Sequence, residues 1–420
     1  MSPVEPRPHR SRRDPTVRHG HQKTSHIVAG ITKLVAVAMA VVLVSGASIA
    51  AIAAWNVSTS FKTVALAGDS NIAVPNISAI EGGVNMLVVG SDSRVGQGGL
   101  YGVSDGVLND VTMLIHISQD HSSASVVSFP RDMVVPIPAC PDGQGGTYSA
   151  MSARPINEAL SYGGLACVQL TVEALTGLKI PFGAEVQFNG VVEMSNALGG
   201  VPVCVASPIA DPYTQTYLDA GTHTLAGEDA LQFLRTRHGV GDGSDLGRIS
   251  SQQVFLSALV RTIKSNDTLT DVTKLYGLAK AASENMSLSQ SLASIDTMVS
   301  IALALKEIPL DKIGFYAYPG TTGGSGVYSG KVQPLTRDAE VLFSAIRADK
   351  PVTGVVGNTG IGSEVDPLLA TPTPTTAPDA AAPSTAAPST TPAPGAAEIL
   401  PDSIKGQAAS ELTCSRGFGE

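Results

Sequence analysis

From Leu34 to Trp55 the chain carries 22 consecutive residues without a charged side chain. As a helix, this run is long enough to cross a hydrocarbon layer of roughly 30 Å. The apolar core of a cleaved signal peptide is usually shorter and its basic leader less extended. The run and its flank therefore predict an uncleaved transmembrane helix over residues 27–55.

Charged residues are divided unevenly around this run. Residues 1–33 carry seven Lys/Arg and two acidic residues, a net charge of +5. Because the whole chain has a net charge of −9, the remaining residues have a net charge of −14. Because basic flanks stay in the cytoplasm, we expect a single-pass protein of the cell membrane with its N-terminus inside and its main body outside. A negatively charged body also argues against nucleic acid as a partner.

Composition divides the rest of the chain. Residues 1–26 are rich in Pro, Arg, His and Ser and are expected to be a disordered basic tail. Residues 56–83 are expected to form a stalk, and residues 350–420 a disordered Pro/Ala/Thr-rich tail. Between them lies a domain over 84–349. The four cysteines all follow the apolar run, in a compartment that favours disulfides, and they allow three pairings.

The domain over 84–349 mixes two hydrophobic patterns. Apolar runs of strand length cover residues 85–90, 111–117 and 124–129, and continuous runs of this kind suit a sheet covered on both faces. Helical spacing appears at 167–176, 190–198 and 252–264. The alternation predicts a layered α/β domain.

Acidic and basic residues cluster where the predicted strands end. Asp92 and Arg94 follow the first strand, Asp110 precedes the second, and Arg131 and Asp132 close the third. Because ligand sites form at strand ends in α/β sheets, we expect one shared site. Two carboxylates there suit Mg²⁺, which takes its other ligands from water and phosphate oxygens.

A second cluster begins with Arg235 and Arg237 and continues with Asp245, Arg248 and Gln252. On an extended chain Arg235 and Arg237 would point the same way and form a forked cationic clamp. Guanidinium groups match phosphate oxygens in a bidentate manner, which lysine does not. Several arginines with a metal therefore predict a pyrophosphate site.

Six segments carrying these residues resemble, in order, the successive blocks of the LytR-CpsA-Psr family. The segments are NMLVVGSDSR, NDVTMLIHIS, SFPRDMVVPIP, INEALSYGG, FNGVVEMSNALGGVPV and GEDALQFLRTRHGVGDGSDLGRISSQQ. The motif core runs from Asn85 to Gln253, and six ordered blocks are far more specific than any single one.

This resemblance implies a three-layer α-β-α sandwich with a central mixed sheet, whose apolar pocket holds a polyprenyl chain. Family members transfer teichoic acid, arabinogalactan or capsule polymers from a polyprenyl pyrophosphate carrier to peptidoglycan. We therefore expect a phosphotransferase that depends on Mg²⁺, with Mn²⁺ as the alternative ion. Two other functions stay open: a pyrophosphatase that releases the polymer by attack of water, and a non-catalytic envelope scaffold that binds polyprenyl phosphates.

The resemblance also assigns roles to single residues. It implies that Asp92 and Asp110 bind the metal ion. The residues implied to bind the pyrophosphate are Arg94, Arg131, Arg154, Arg235, Arg237, Arg248 and Gln252. Those implied to act in catalysis are Arg131, Asp132, Arg237 and Arg248. The sequence leaves open which group takes the proton of the acceptor hydroxyl, and Asp132 and Asp245 are both candidates.

Three features depart from the family pattern. Pro155-Ile156-Asn157 stands where many members have Lys-Ile-Asn, so Arg154 is the substitute cation. Ser251 stands where many members have an arginine, and the segment between the two metal-binding aspartates is longer and Gly-rich. Cys140 and Cys167 flank an irregular Gly-rich segment that the resemblance places near the site, which makes them the preferred disulfide pair.

Overall fold

The computed structural model describes residues 31–41, 43–45, 48, 61–68, 83–92, 107–265, 268, 270–355, 357–366 and 397–419. Two compact units, Met1–Trp55 and Asn56–Glu420, make up the chain. In the first unit, residues 31–41, 43–45 and 48 are helical and their side chains are exposed. Among the residues just given, no helix has both the length and the apolar character needed to cross a bilayer. Much of the predicted span, including 49–55, lies outside the described residues, so the membrane helix stays a prediction.

Helices and strands of the second unit follow one another along the chain. Its described α-helices are α1 (Ala159–Thr176), α2 (Phe188–Leu198), α3 (Gly227–Arg235), α4 (Asp245–Lys264), α5 (Val272–Asn285), α6 (Ile295–Glu307) and α7 (Thr336–Arg347). The first strands are β1 (Lys62–Val64), β2 (Val84–Ser91), β3 (Asn109–Ile117), β4 (Ala124–Phe129), β5 (Val134–Ile137), β6 (Cys140–Pro141), β7 (Thr147–Tyr148), β8 (Met151–Pro155), β9 (Phe182–Val186), β10 (Val201–Val205) and β11 (Ile209–Asp211). The later strands are β12 (Thr216–Leu218), β13 (Gly221–Leu225), β14 (Met286–Ser289), β15 (Ile313–Ala317), β16 (Gly320–Thr321), β17 (Gln333–Pro334), β18 (Val352–Thr353), β19 (Ser363–Val365), β20 (Glu398–Ile399), β21 (Gly406–Ala408) and β22 (Thr413–Ser415).

A central sheet holds strands in the order β1-β14-β9-β2-β3-β4-β15-β21. β2 is antiparallel to β3 and parallel to β9, while β4 is antiparallel to β3 and parallel to β15. The predicted mixed sheet is therefore confirmed. The three predicted strands are β2, β3 and β4, and the three predicted helices lie within α1, α2 and α4.

Side chains of the central strands alternate between two apolar cores. Leu87 and Val89 of β2 belong to one core together with residues of α1 and α7. Met86 packs against the other core, to which α4 and α6 contribute. Because helices cover both faces, a strand such as β4 is buried along its whole length, including its two serines, Ser125 and Ser128.

The predicted disordered tail over 350–420 is wrong for its described residues, 350–355, 357–366 and 397–419, which include the strands β18 to β22. β21 extends the central sheet beside β15, and β22 lies between β10 and β19. A disulfide joins Cys414 of β22 to Cys204 of β10. Composition underestimated these short strands because their stability comes from distant partners and not from local hydrophobic periodicity. Residues 367–396 lie outside the described part of the chain.

The predicted stalk over 56–83 also contains part of the sheet. Residues 62–64 form the edge strand β1, which pairs in parallel with β14. A strand of three residues carries too short a pattern to be separated from a linker by sequence, and only its pairing with β14 defines it. Residues 69–82 of the predicted stalk lie outside the described residues.

A disulfide between Cys140 and Cys167 fastens the ribbon of β6 and β7 to α1, which confirms the preferred pair. Gly163 and Gly164 interrupt α1 there with non-helical dihedral angles, and Gly164 has a φ of 61°. A Cβ atom on Gly163 would lie 2.6 Å from the carbonyl oxygen of Pro141 and 2.9 Å from Cβ of Cys167. Only glycine permits this approach of α1 to the ribbon.

Candidate active site

Asp110 lies at a β-bulge between β2 and β3. Gly90 pairs with Val111 and Ser91 pairs with Asn109, so Asp110 has no partner across the ladder. A bulge redirects a side chain next to a sheet edge. Here it brings Asp110 into the lining of a cavity that Val111 and Gly90 also border.

Asp92 lies at the same end of β2. Its Oδ1 accepts a hydrogen bond from the backbone N–H of Leu108 (2.6 Å), and its own N–H donates to the carbonyl of Leu108 (3.0 Å). Asp92 and Asp110, the two predicted metal ligands, therefore lie at the ends of adjacent strands. Two carboxylates fit a hard cation such as Mg²⁺ or Mn²⁺ only if water and phosphate oxygens complete the coordination, as Mg²⁺ commonly allows.

Among the described residues, the one grouping of three metal-ligating side chains lies elsewhere. It consists of Cys204, Asp366 and Cys414, but both sulfur atoms are consumed by the disulfide. A disulfide sulfur is not a thiolate ligand. This grouping therefore does not compete with the two aspartates as a metal site.

Arg131 follows β4 and turns toward the bulge. Its Nη1 contacts Oδ1 of Asp110, and its backbone N–H donates to Oδ2 of Asp245 (2.6 Å). Burial alone would lower the pKa of Arg131, but the carboxylates of Asp110, Asp132 and Asp245 raise it above its ordinary value. The guanidinium group is therefore held in place as a permanent cation.

Asp132 is a buried carboxylate surrounded by three cations. Its Oδ2 accepts a hydrogen bond from Nη1 of Arg237 (3.1 Å) and lies 3.8 Å from Nε of Arg131, while its Oδ1 accepts from Nζ of Lys331 (3.1 Å). Burial would raise the pKa of Asp132, but Arg131, Lys331 and Arg237 lower it. An ionised carboxylate held by three cations is a weak proton acceptor and a strong organiser of those cations.

Helix α4 supplies the next residues of the site. The Ser244 side chain caps the helix by accepting a backbone N–H of its first turn. Asp245 and Arg248 lie on one helical face, with Arg248 Nη2 2.6 Å from Asp245 Oδ1. The same Nη2 donates to the backbone carbonyl of Asp110 (2.8 Å), and Gln252, one turn later, donates to a carbonyl at the end of α3 (2.9 Å).

These interactions link residues from five separate segments into what we call the strand-end cluster. Its members are Asp110, Arg131, Asp132, Arg237, Asp245, Arg248 and Lys331. Sequence patterns missed Lys331, because a single lysine far along the chain carries no local signal.

Arg235 and Arg237 do not share an extended segment, so the predicted fork is wrong. Arg235 is the last residue of α3, and its guanidinium carbon lies 4.7 Å from the ring centroid of Phe188. Thr236 is buried, and its Oγ1 donates to Oδ2 of Asp211 (2.7 Å). Because the helix ends between the two arginines, their side chains serve different parts of the site.

Asp211 is a second residue that sequence reasoning missed. Its Oδ2 also accepts the backbone N–H groups of Arg237 (3.0 Å) and His238 (3.1 Å). Burial would raise the pKa of Asp211, but the hydrogen bond from Thr236 and those from backbone N–H groups lower it. The ionised carboxylate thus fixes the turn that carries Arg237 and His238.

A cavity of about 230 Å³ opens beside the strand-end cluster. Its apolar lining includes Val88, Met113, Val186, Met194, Leu256 and Leu259. Its charged lining consists of Asp110, Arg235 and Arg248, and Gln252 also borders it. The arrangement accommodates a ligand with an apolar tail and an anionic head.

Arg154, a predicted pyrophosphate ligand, has its contacts outside the cavity. Arg154 pairs with Glu158 (Nε to Oε2, 2.8 Å) and donates to the hydroxyl of Tyr162 (3.1 Å), with 49% of its side chain exposed. It does not line the cavity. Arg94 lies outside the described residues, so its role stays a prediction.

Replacing Asp132 with asparagine is expected to lower the free energy of unfolding by about 2 kcal/mol at pH 7, because Arg131, Arg237 and Lys331 lose the buried carboxylate that they share. The pKa of Asp132 is lowered by folding, so its contribution is present above the unfolded value of about 3.9 and is lost as the pH falls through the folded value. The stabilities of the parent and of Asp132→Asn should therefore converge as the pH falls. Thermal unfolding of both proteins between pH 7 and pH 3 measures the difference. Asp311→Asn, at an exposed carboxylate, is the control. An equal difference at every pH would contradict the assignment.

Comparison with known proteins gives one consistent result. The profile of the LytR_cpsA_psr family matches residues 52–340. The cell wall biosynthesis protein LcpA of Corynebacterium glutamicum is 30% identical over 286 residues, which cover 61% of this chain and 54% of LcpA. TagT of Bacillus subtilis, a polyisoprenyl-teichoic acid–peptidoglycan teichoic acid transferase, is 28% identical over 240 residues, covering 56% of this chain and 68% of TagT. A second relative from C. glutamicum, the probable cell wall biosynthesis protein LcpB, is matched over 61% of its length. The chain therefore spans less than two thirds of the length of LcpA and of LcpB.

Solved structures share the fold. A LytR-Csp2A-Psr enzyme from Actinomyces oris superposes with a TM-score of 0.51 at 19% identity, covering 68% of this chain and 95% of that chain. The crystal structure of TagV from B. subtilis gives a TM-score of 0.50 at 22% identity, covering 63% of this chain and 96% of that chain. At such identities the likeness concerns the arrangement of helices and strands and not the chemistry.

Proposed function

The chain belongs to the LytR-CpsA-Psr family, and from this membership we propose that it is a glycopolymer–peptidoglycan phosphotransferase of the cell envelope. Its donor is a teichoic acid, arabinogalactan or capsule polymer on a polyprenyl pyrophosphate carrier, and its acceptor is peptidoglycan. Residues 27–55 anchor it in the cell membrane, with the N-terminus in the cytoplasm and the catalytic domain outside. The three-layer sandwich implied by the family pattern carries the site.

One observation carries this proposal: a cationic cluster borders an apolar cavity. Arg235 and Arg248 line the cavity, and Arg131 contacts Asp110, which lines it as well. A polyprenyl pyrophosphate has the same division, with a long apolar chain ending in a highly charged head. Burying the chain contributes about 0.8 kcal/mol per methylene, and guanidinium groups offset the charge of the head.

The reaction we propose is a phosphoryl transfer. An acceptor hydroxyl attacks the sugar-side phosphorus and the bond from that phosphorus to the bridging oxygen breaks. Polyprenyl phosphate leaves, and the hydroxyl proton passes to this leaving phosphate or to water. Arg131, Arg235 and Arg248 stabilise the charge that develops on the equatorial and leaving oxygens. A Mg²⁺ bound by Asp92 and Asp110 would supply further positive charge beside the phosphate oxygens.

Asp132 and Asp245 act mainly as positioning residues in this scheme. Asp132 fixes Arg131, Arg237 and Lys331, and Asp245 fixes Arg248 and the backbone of Arg131. Because the arginines are oriented before substrate binds, little reorganisation is needed as charge develops. This arrangement favours an organising role for both carboxylates over the proton transfer that the sequence left open.

The decisive experiment incubates the full-length protein in detergent with a long-chain polyprenyl-pyrophosphate glycan and peptidoglycan strands, and analyses the products by mass spectrometry. We expect a phosphodiester-linked glycan on the acceptor, no turnover after chelation with EDTA, and recovery with Mg²⁺ or Mn²⁺. A free phosphorylated glycan without acceptor linkage would establish the pyrophosphatase instead. Donor binding without any product would establish the scaffold.

A further inference from the structure

Two tyrosine rings and an ion pair form a compact exposed group near the strand ends. The rings of Tyr148 and Tyr162 lie edge to face, with centroids 5.9 Å apart, and Tyr148 is 44% exposed. Arg154 donates to the Tyr162 hydroxyl and pairs with Glu158. We call these four residues the tyrosine platform. Nothing in the reaction described above uses them.

Several constraints hold the platform in one shape. Cys140 pairs with Tyr148 across the ribbon of β6 and β7, and the disulfide to Cys167 fastens this ribbon to α1. The close approach of Gly163 to the same disulfide brings Tyr162, the preceding residue, beside Tyr148. Rings fixed before a ligand arrives lose little conformational entropy on binding.

Direct hydrogen bonds tie the platform to the strand ends. The backbone N–H of Asn157 donates to the carbonyl of Arg131 (3.2 Å). The Ser161 hydroxyl donates to the carbonyl of Val107 (2.5 Å), and the next residue, Leu108, donates to the Asp92 carboxylate. Asn157 directly precedes Glu158 and Ser161 directly precedes Tyr162, so the platform borders the site of phosphoryl transfer.

The platform and the cavity lie on opposite faces of the sheet. Tyr162 packs against the core that contains Leu87 and Val89 of β2. The cavity is bordered instead by Val88 and Gly90, the alternate residues of the same strand. Successive side chains of a strand point to opposite faces of the sheet. The tyrosine platform and the cavity therefore lie on opposite sides of the ends of β2 and β3.

This separation matches the geometry of the proposed reaction. In phosphoryl transfer the attacking and leaving oxygens lie roughly in line on opposite sides of the phosphorus. If polyprenyl phosphate leaves toward the cavity, the acceptor hydroxyl has to approach from the other face, where the tyrosine platform lies. The aromatic rings offer apolar faces to the C–H groups of a sugar, while Arg154 and Glu158 offer donors and acceptors to its hydroxyl and amide groups.

We infer that the tyrosine platform is the subsite for the acceptor glycan, a strand of N-acetylated amino sugars, an assignment that rests on the proposed function. The inference also accounts for Arg154. Its guanidinium group is held in the platform by Glu158 and Tyr162, and it does not line the cavity that Arg235 and Arg248 border.

The test measures glycan binding apart from turnover. Full-length protein in detergent is titrated with a soluble tetrasaccharide of alternating N-acetylglucosamine and N-acetylmuramic acid, and separately with long-chain polyprenyl pyrophosphate. Tyr148→Ala is expected to weaken tetrasaccharide binding by about 10-fold, as for the loss of one aromatic contact, without change in polyprenyl pyrophosphate binding. Tyr162→Phe, which keeps the ring and removes the hydroxyl, is expected to cause a smaller loss. Tyr276→Ala, at a helix tyrosine with the same 44% exposure, is the control.

Outcomes of these titrations are separable from failure of the proposed transferase activity. If the protein binds the tetrasaccharide in a Tyr148-dependent manner but transfers nothing, the subsite stands and the reaction has to be revised. If the parent does not bind the tetrasaccharide, or Tyr148→Ala binds it as the parent does, the subsite is refuted. Equal losses of tetrasaccharide and polyprenyl pyrophosphate binding in Tyr148→Ala would also refute it, because the platform would then serve folding.

Discussion

Replacing Arg131 with alanine is expected to slow glycopolymer transfer by about 10³-fold, the range seen when a preorganised donor to a phosphoryl or oxyanion charge is removed. Arg131 contacts Asp110 at the cavity lining, and its backbone is fixed by Asp245. Its removal takes away a charge that stabilises the transition state and leaves Asp110 without its partner. Single-turnover transfer with saturating donor measures the chemical step directly.

Arg347→Ala provides a matched control for this prediction. Arg347 is 31% exposed against 28% for Arg131, and it also pairs with a carboxylate, that of Glu340, but it lies on α7 away from the cavity. We expect Arg131→Lys to recover only part of the lost rate, because an ammonium group keeps the charge without the bidentate geometry. A transfer rate for Arg131→Ala within tenfold of the parent would remove Arg131 from the catalytic machinery.

Local sequence patterns identified the part of the site built at strand ends. Asp92, Asp110, Arg131 and Asp132 all flank apolar runs that fold as β2, β3 and β4. Such runs are readable because burial on both faces imposes continuous hydrophobicity. Once the boundaries of the apolar runs are known, the charged residues that flank them can be placed at the ends of the strands.

Residues brought in by tertiary structure could not be found in this way. Lys331 reaches Asp132 across 199 positions of sequence, and Asp211 fixes the turn at Arg237 from 26 positions away. Neither residue has neighbours that distinguish it from an ordinary surface charge. The predicted fork of Arg235 and Arg237 was wrong for the related reason that the end of a helix cannot be located to one residue from spacing.

The departure at Ser251 has a structural explanation. This position, where many family members have an arginine, is fully buried here, and its hydroxyl lies 2.6 Å from that of Ser415 in β22. β22 is fastened to β10 by the disulfide between Cys204 and Cys414. The C-terminal segment thus occupies the space beside α4 that a longer side chain would need, an arrangement that the predicted disordered tail did not anticipate.

Filling the cavity is expected to weaken binding of the long-chain donor by about 100-fold. Leu256 and Leu259 lie one turn apart on α4 and both line the cavity. If two tryptophans at these positions displace about four methylene groups of the polyprenyl chain, the loss is about 3 kcal/mol at about 0.8 kcal/mol each. The measurement is the retention of long-chain polyprenyl pyrophosphate by the purified double variant.

Binding of a short-chain probe shows whether the double variant loses affinity because its cavity is filled or because its fold is damaged. Geranyl pyrophosphate presents the same charged head to Arg235 and Arg248 but needs little of the apolar cavity. In the double variant its affinity should fall far less than that of the long-chain donor, so the preference for the longer chain should collapse. Leu275→Trp, at an exposed leucine of α5, should leave both affinities unchanged. If the double variant still prefers the long chain as strongly as the parent does, the chain binds elsewhere and the cavity is not the lipid site.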